Sequence, residues 1–228
     1  MKKNIMKIGE KIMGKNGYNT KGLYNAYDKN HRERDKRDYY ATPTEEVVNI
    51  LETLGLDFTN QTILEPCVGG GHMAKGIKEY LDKNNQKAIL IGTDIQDRGF
   101  RNNDWSLAYG LDFFADEYPN DTADWVIMNP PYSVIEPFTI RALDIAEKGV
   151  IMLARLQYLE GEKRYEKILA DTPPTDVYIY VDRIQCWKDG VEPEGSSAQA
   201  YAWFVWDKSK TSKDSLIHWL RRVDKKND

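Results

Sequence analysis

The sequence predicts an α/β domain: a doubly wound, mostly parallel sheet with helices on both faces and an antiparallel pair at one edge. Three observations lead there. From Tyr39 onward, apolar runs of four to six residues alternate with stretches of helical spacing. Several runs end on an acid, a glycine turn or prolines, as strands do at a ligand-facing edge. The last two runs, Val177–Val181 and Tyr201–Trp206, have no clear helical pattern between them, which suits antiparallel neighbours.

Taken in order, Thr42-Pro43-Thr44-Glu45 reads as a capping box with proline at the first helical position. Val47, Val48, Leu51 and Leu54 then share one helix face, and Gly55 ends it. Thr62–Glu65 is a short strand entering the turn Val68-Gly69-Gly70-Gly71, and helical spacing resumes over His72–Leu81. Further strands are expected at Ala88–Thr93, ahead of Asp112, and at Trp125–Met128 and Val150–Leu153. Helices fit at Val134–Ala146 and Gly161–Leu169. The polar stretch Asp182–Gln199 reads as a long loop, and Lys213–Val223 as one amphipathic helix carrying Leu216, Trp219, Leu220 and Val223. The expected organisation is a basic arm at 1–38, the α/β domain at 39–208 and a helical tail at 209–228.

Composition narrows the class. A chain of 228 residues with 41% hydrophobic and 30% charged residues is ordinary for a globular protein with a real core. No run of about 18 apolar residues is present, so no membrane span is expected, and Met1–Gly14 has no apolar core of a signal peptide. Two cysteines, Cys67 and Cys186, exclude a disulfide framework, and a reducing cytoplasm is the default. His31, His72 and His218 lack ligand spacing, so no metal is expected. The net charge of −4 hides an asymmetry: residues 1–37 hold eleven Lys/Arg against four acids, leaving an acidic body. A basic arm on an acidic body suits a polyanion such as nucleic acid; a solvated leader is the plainer alternative.

The chemistry concentrates at strand tips. Glu65-Pro66-Cys67-Val68-Gly69-Gly70-Gly71 turns from a strand through glycines into a helix, letting a ligand approach backbone closely. Asp94 ends the next run and Asp112 follows a third, so three acids meet at the carboxyl edge of the sheet. The decisive segment is Trp125-Val126-Ile127-Met128-Asn129-Pro130-Pro131-Tyr132. Two prolines cannot continue a ladder, so the strand stops with Asn129 at its tip. The Asn129 amide oxygen and the Pro130 carbonyl are two acceptors and Tyr132 a flat ring, a set that fits a planar group bearing an NH₂.

These residues resemble the S-adenosylmethionine-dependent amino-methyltransferases with an Asn/Asp-Pro-Pro-aromatic motif, particularly DNA adenine-N6 enzymes. The resemblance spans about residues 39–207. Tyr39-Tyr40-Ala41-Thr42-Pro43 is similar to the segment that precedes the glycine loop in such enzymes, and Arg155–Arg164 with Ala200–Trp206 resembles a phage and prophage subset. It implies a Rossmann-like class I fold with a mostly parallel seven-stranded sheet and an antiparallel edge hairpin. It implies S-adenosyl-L-methionine held by Tyr40, Thr42, Glu65, Pro66, Gly69, Gly71, Asp94 and Asp112, with Asp94 on the ribose and Asp112 on the cofactor adenine. It implies catalysis by Asn129, Pro130, Pro131 and Tyr132 on an adenine N6 amine in DNA, with Cys67 as packing.

RNA adenine and protein-glutamine methyltransferases share Asn-Pro-Pro-Tyr, so those acceptors stay open, as does a non-catalytic nucleic-acid-binding module. Little sequence is left for target recognition, which points to the arm, the 182–199 loop, the 155–165 segment or a protein partner.

Overall fold

A computed structural model describes residues 39–115, 123–194, 199–211 and 213–223; the expected arm lies outside them. The strands are β1 (Tyr40–Ala41), β2 (Thr62–Glu65), β3 (Ile89–Asp94), β4 (Trp105–Tyr109), β5 (Ala123–Met128), β6 (Ala146–Arg155), β7 (Asp176–Tyr180), β8 (Trp187–Lys188), β9 (Tyr201–Asp207) and β10 (Leu216–Leu220). The main helices are α1 (Thr44–Leu54), α2 (His72–Lys83) and α3 (Ile135–Ile145). A short helix, Glu162–Arg164, runs into a π-turn over Tyr165–Leu169, where helical spacing is expected.

Among the described residues the main sheet has eight strands in the order β10-β7-β9-β6-β5-β2-β3-β4. Only β9 runs antiparallel to its neighbours, β6 and β7; the other pairings are parallel. Alternation along the central strands builds two cores. Ile63, Ile127, Ile151, Leu153, Trp203 and Val205 face one side, with Val47, Ile50 and Leu51 of α1 and Met73 and Ile77 of α2. Leu64, Val126, Met128, Val150, Met152, Phe204 and Trp206 face the other, with Phe138, Ala142 and Ile145 of α3. A strand buried on both faces must be apolar at every position, which is why these runs read as continuous rather than alternating.

Three expectations are corrected. The tail is a strand: β10 pairs in parallel with β7, Leu216↔Asp176 through Leu220↔Tyr180, and makes eight strands where seven were expected. Helical spacing of a few apolar residues loses here to the unpaired backbone of β7, which β10 satisfies. Leu216, Ile217 and Trp219 stay exposed and only Leu220 enters the core, so little apolar surface is buried. The segment is held instead by Asp176, whose carboxylate takes His218 Nε2 at 2.9 Å and Lys210 Nζ at 2.6 Å, with the His218 ring stacked on Tyr178 at 4.5 Å.

The expected antiparallel pair β7/β9 is present at that end of the sheet, with β10 added outside β7. The capping box does not form. Pro43 itself is the N-cap and Glu46 N–H bonds its carbonyl at 3.1 Å, while Thr44 Oγ1 donates to the His72 carbonyl at 3.1 Å. The 182–199 loop is also not free of structure, since β8 pairs with β1.

Candidate active site at the strand-order reversal

The chain runs β2 to β3 to β4 outward in one direction, then returns to place β5 on the other side of β2. Open α/β sheets bind ligands in the crevice at the carboxyl ends where the order reverses. The two turns flanking this crevice are the glycine turn after β2 and the Asn-Pro-Pro-Tyr turn after β5.

Glu65 ends β2 and is buried. Its Oε2 is shielded from solvent and has no hydrogen-bond partner in the described structure. Burial, and then the adjacent Asp94 carboxylate, push the Glu65 carboxyl well above the usual range. Asp94, at the end of β3, accepts Gly69 N–H on Oδ2 and Gln96 N–H on Oδ1, both at 2.8 Å. Burial raises it too, although those two N–H groups and Arg98 pull it back.

Gly69 (φ +52) and Gly71 (φ +81) take the left-handed conformations that side chains rarely adopt. A Cβ on Gly69 would stand 2.4 Å from the Tyr39 ring, and one on Gly71 2.0 Å from the Phe100 ring. Tyr39 lies across the turn, accepting Gly70 N–H at 2.9 Å, with the Arg98 guanidinium 4.5 Å over its ring. The Tyr39 carbonyl takes Asp189 N–H at 2.9 Å, and Trp187 meets His72 edge-on at 5.5 Å. The long loop thus fastens the 39–42 segment against the glycine turn.

Asn129 is half-buried, and its Nδ2 donates to the Tyr40 carbonyl at 2.8 Å and to Thr42 Oγ1 at 3.1 Å. The Tyr40 carbonyl can only accept, so the NH₂ must face it and the amide oxygen must face away. Cys67 Sγ donates to the Asn129 carbonyl at 3.4 Å, joining the two turns. Burial, then Glu65 and Asp94, hold that thiol well above its usual range, so it stays protonated and able to donate. Pro66 is buried at the start of the glycine turn, and Pro131 begins the single turn Tyr132–Val134, accepting Val134 N–H at 3.1 Å.

The Tyr132 ring lies 5.4 Å from that of Tyr40, and its hydroxyl is 3.2 Å from that of Tyr201. The Arg155 guanidinium sits 4.3 Å over it. Asp112 lies three residues beyond β4 and accepts Phe114 N–H at 3.0 Å, while Leu111 N–H reaches the Asp94 carbonyl at 3.3 Å. The acid therefore caps its own turn beside the end of β3.

All the expected site residues come to this carboxyl edge. Missed in the sequence were Tyr39, Arg98, Phe100, Arg155 and the bonding role of Cys67. Tyr39 and Arg155 each open a segment noted in the sequence, 39–43 and 155–164, without a role of their own there; Arg98 and Phe100 carry no local signal.

The fold can be compared with solved structures. A methyltransferase subunit of a type I restriction-modification system from Streptococcus thermophilus matches with a TM-score of 0.62 at 13% identity, over 79% of this chain and 47% of that one. A Listeria monocytogenes protein assigned as a class I S-adenosylmethionine-dependent methyltransferase matches at 0.56 and 15%, over 88% and 69%. A Pyrococcus horikoshii protein assigned as an RNA methyltransferase matches at 0.55 and 18%, over 75% and 87%. The chain has the class I methyltransferase fold. It spans about half the length of the Streptococcus subunit. No family model and no curated protein matches the sequence. Among the described residues, no helix is long and apolar enough to cross a membrane.

Proposed function

We propose that this chain is an S-adenosylmethionine-dependent methyltransferase that modifies the exocyclic N6 amine of adenine in DNA. The observation that carries the reading is the Asn129 carboxamide. Its NH₂ is consumed by Tyr40 and Thr42, so its oxygen is turned the other way, on the side of the Pro130 carbonyl.

Glu65, with its orphaned Oε2, fits the cationic amino group of the cofactor's methionine part. Gly69 and Gly71 let that part approach the backbone, with Tyr40, Thr42 and Pro66 walling the same crevice. Asp94 and Asp112 are assigned to the ribose and the cofactor adenine. When bound, S-adenosylmethionine supplies an electrophilic methyl group on sulfonium sulfur.

The chain's own work is on the acceptor. An amine conjugated into a purine is a poor nucleophile because its lone pair is delocalised. Accepting both of its N–H bonds, at Asn129 Oδ1 and the Pro130 carbonyl, draws the nitrogen toward a pyramidal geometry and localises that pair. Pro131 fixes the direction of the turn and Tyr132 offers its ring to the base, which must leave the stack if the target is a duplex.

Within the 182–199 loop, β8 is used to fasten the 39–42 segment. The Streptococcus neighbour is named as one subunit of a restriction-modification system, and a partner chain supplying recognition is proposed here as well. The arm at 1–38 is assigned to phosphate, and removing it should weaken DNA binding and flatten its salt dependence.

The deciding experiment is methyl transfer from labelled S-adenosylmethionine to unmethylated DNA, with RNA and protein acceptors in parallel and products resolved by mass. N6-methyladenine from DNA supports the reading. Label in RNA or protein overturns the acceptor and retains the chemistry; failure to bind the cofactor overturns the reading altogether.

A further inference from the structure

Arg155 is the last residue of β6, opposite Tyr201 on β9, at the same sheet edge as the Asn129 turn. Its side chain is half-buried against the Tyr132 ring, with Cζ 4.3 Å from the ring centroid. Its Nε is shielded from solvent and has no hydrogen-bond partner. No ion pair links Arg155 to a carboxylate among the described residues. Arg164 shares the shielded, unpartnered Nε, but it and the buried Arg141 differ in having a carboxylate: Arg141 pairs with Asp144 at 3.0 Å and Arg164 with Glu136 at 3.3 Å. Arg164 also donates to the Gln157, Tyr158 and Glu160 carbonyls at 3.2, 2.9 and 2.6 Å. Those two are structural. Arg155 has a ring and the neighbouring Tyr201 hydroxyl, and no anion.

A guanidinium is always charged and carries five N–H donors in a planar fork that matches phosphate oxygens two at a time. Keeping one half out of water without a counter-ion is unfavourable unless a ligand supplies the anion. Arg155 leans on the ring of the turn that carries Asn129, so its charge stands beside the turn at which an acceptor amine would be presented. A nucleotide brings its own phosphate; a glutamine side chain brings no charge.

We infer that Arg155 receives a backbone phosphate of the acceptor strand, which makes the acceptor a phosphodiester chain rather than a polypeptide. The inference rests on the proposed reading of the Asn129–Tyr132 turn and adds to it the residue that holds the acceptor's backbone. A residue that merely sets the plane of Tyr132 would need no anion.

The test is binding of an adenine-containing single-stranded DNA oligonucleotide across a salt series, for the wild type, Arg155→Gln, Arg155→Met and Arg155→Lys. Methyl transfer to DNA by the wild type is measured alongside. Loss of one phosphate contact should weaken binding by about tenfold in the Gln and Met variants. Their slope of log affinity on log salt should be shallower by about 0.7, the value for one phosphate of a single strand. The Lys variant, which keeps the charge, should keep the slope. The Met variant retains an apolar stem against Tyr132 and serves if the Gln variant does not fold. A folded Gln or Met variant with the wild-type slope, while the wild type methylates DNA, overturns the phosphate role alone. A wild type that binds no nucleic acid and labels only protein overturns the proposed acceptor and this inference together.

Discussion

The Asn129 side chain donates 2.8 Å to the carbonyl of Tyr40, a residue 89 positions earlier. That one bond decides which end of the amide faces the crevice. Asn129→Ala removes the outward acceptor, and methyl transfer should fall by about 10² or more. Asn129→Asp should fare no better, because a carboxylate cannot donate to the Tyr40 carbonyl and would be repelled by it. Single-turnover assays with labelled cofactor distinguish these losses from a binding defect. An Asp variant with near wild-type rate would refute the assigned orientation.

Glu65 should make the free protein less stable as pH rises. Its carboxyl binds a proton more tightly in the folded state than at its ordinary value of 4.5, because of burial and then Asp94. Between that value and the raised one, the folded chain holds more protons than the unfolded chain, so stability falls with increasing pH through the window. Glu65→Gln should raise the melting temperature above this window and flatten the dependence, by about 2–4 °C for each kcal/mol recovered. The same variant should bind S-adenosylmethionine much more weakly by calorimetry. A stabilised variant with intact cofactor affinity would remove Glu65 from the site.

Asp176 should show the opposite sign. Burial alone would raise its carboxyl, but hydrogen bonds from Lys210, His218 and Thr175 outweigh it and the net shift is downward. Its contribution is present above the ordinary value of 3.8 and is lost as pH falls through the lowered one. Asp176→Asn weakens bonds made to a charged group and should destabilise the fold by about 1.5–3 kcal/mol at neutral pH. Because those bonds hold β10, hydrogen exchange should rise first over Leu216–Leu220. Uniform loss of protection across the sheet would contradict a local fastening.

Gly71→Ala combines a left-handed φ of +81 with a Cβ placed 2.0 Å from the Phe100 ring. The substitution should destabilise by more than about 1 kcal/mol, since alanine at a positive φ is strained even where there is room. Gly99, at φ +83 with nothing within 4 Å of a Cβ, is the control: strain without the clash. Thermal melts of the two alanine variants should rank Gly71→Ala clearly below Gly99→Ala. Equal losses would mean that Phe100 yields freely.

Most of the fold was legible because strands buried on both faces are written as uninterrupted apolar runs. Trp125–Met128 ending at Asn-Pro-Pro-Tyr is such a run, and so is Val150–Leu153. The tail was not legible. Leu216, Trp219 and Leu220 fit a helical stripe, yet the segment is a strand because β7 offered an unpaired edge and Asp176 a pair of fastenings. Nothing local to residues 213–223 records either.

The site divides the same way. The sequence by itself determined which chemical groups stand at the strand tips: the acids, the glycines, and an asparagine stopped by two prolines. Only the tertiary structure decided what those groups can do. The direction of the Asn129 amide depends on Tyr40, the isolation of Glu65 on Asp94 and the enclosing core, and the company of Tyr132 on Arg155 and Tyr201. Each is a contact between segments far apart in the chain. Hydrogen-bond direction, proton affinity and unpaired charge are set by such neighbours, and a residue's own flanking sequence does not specify them.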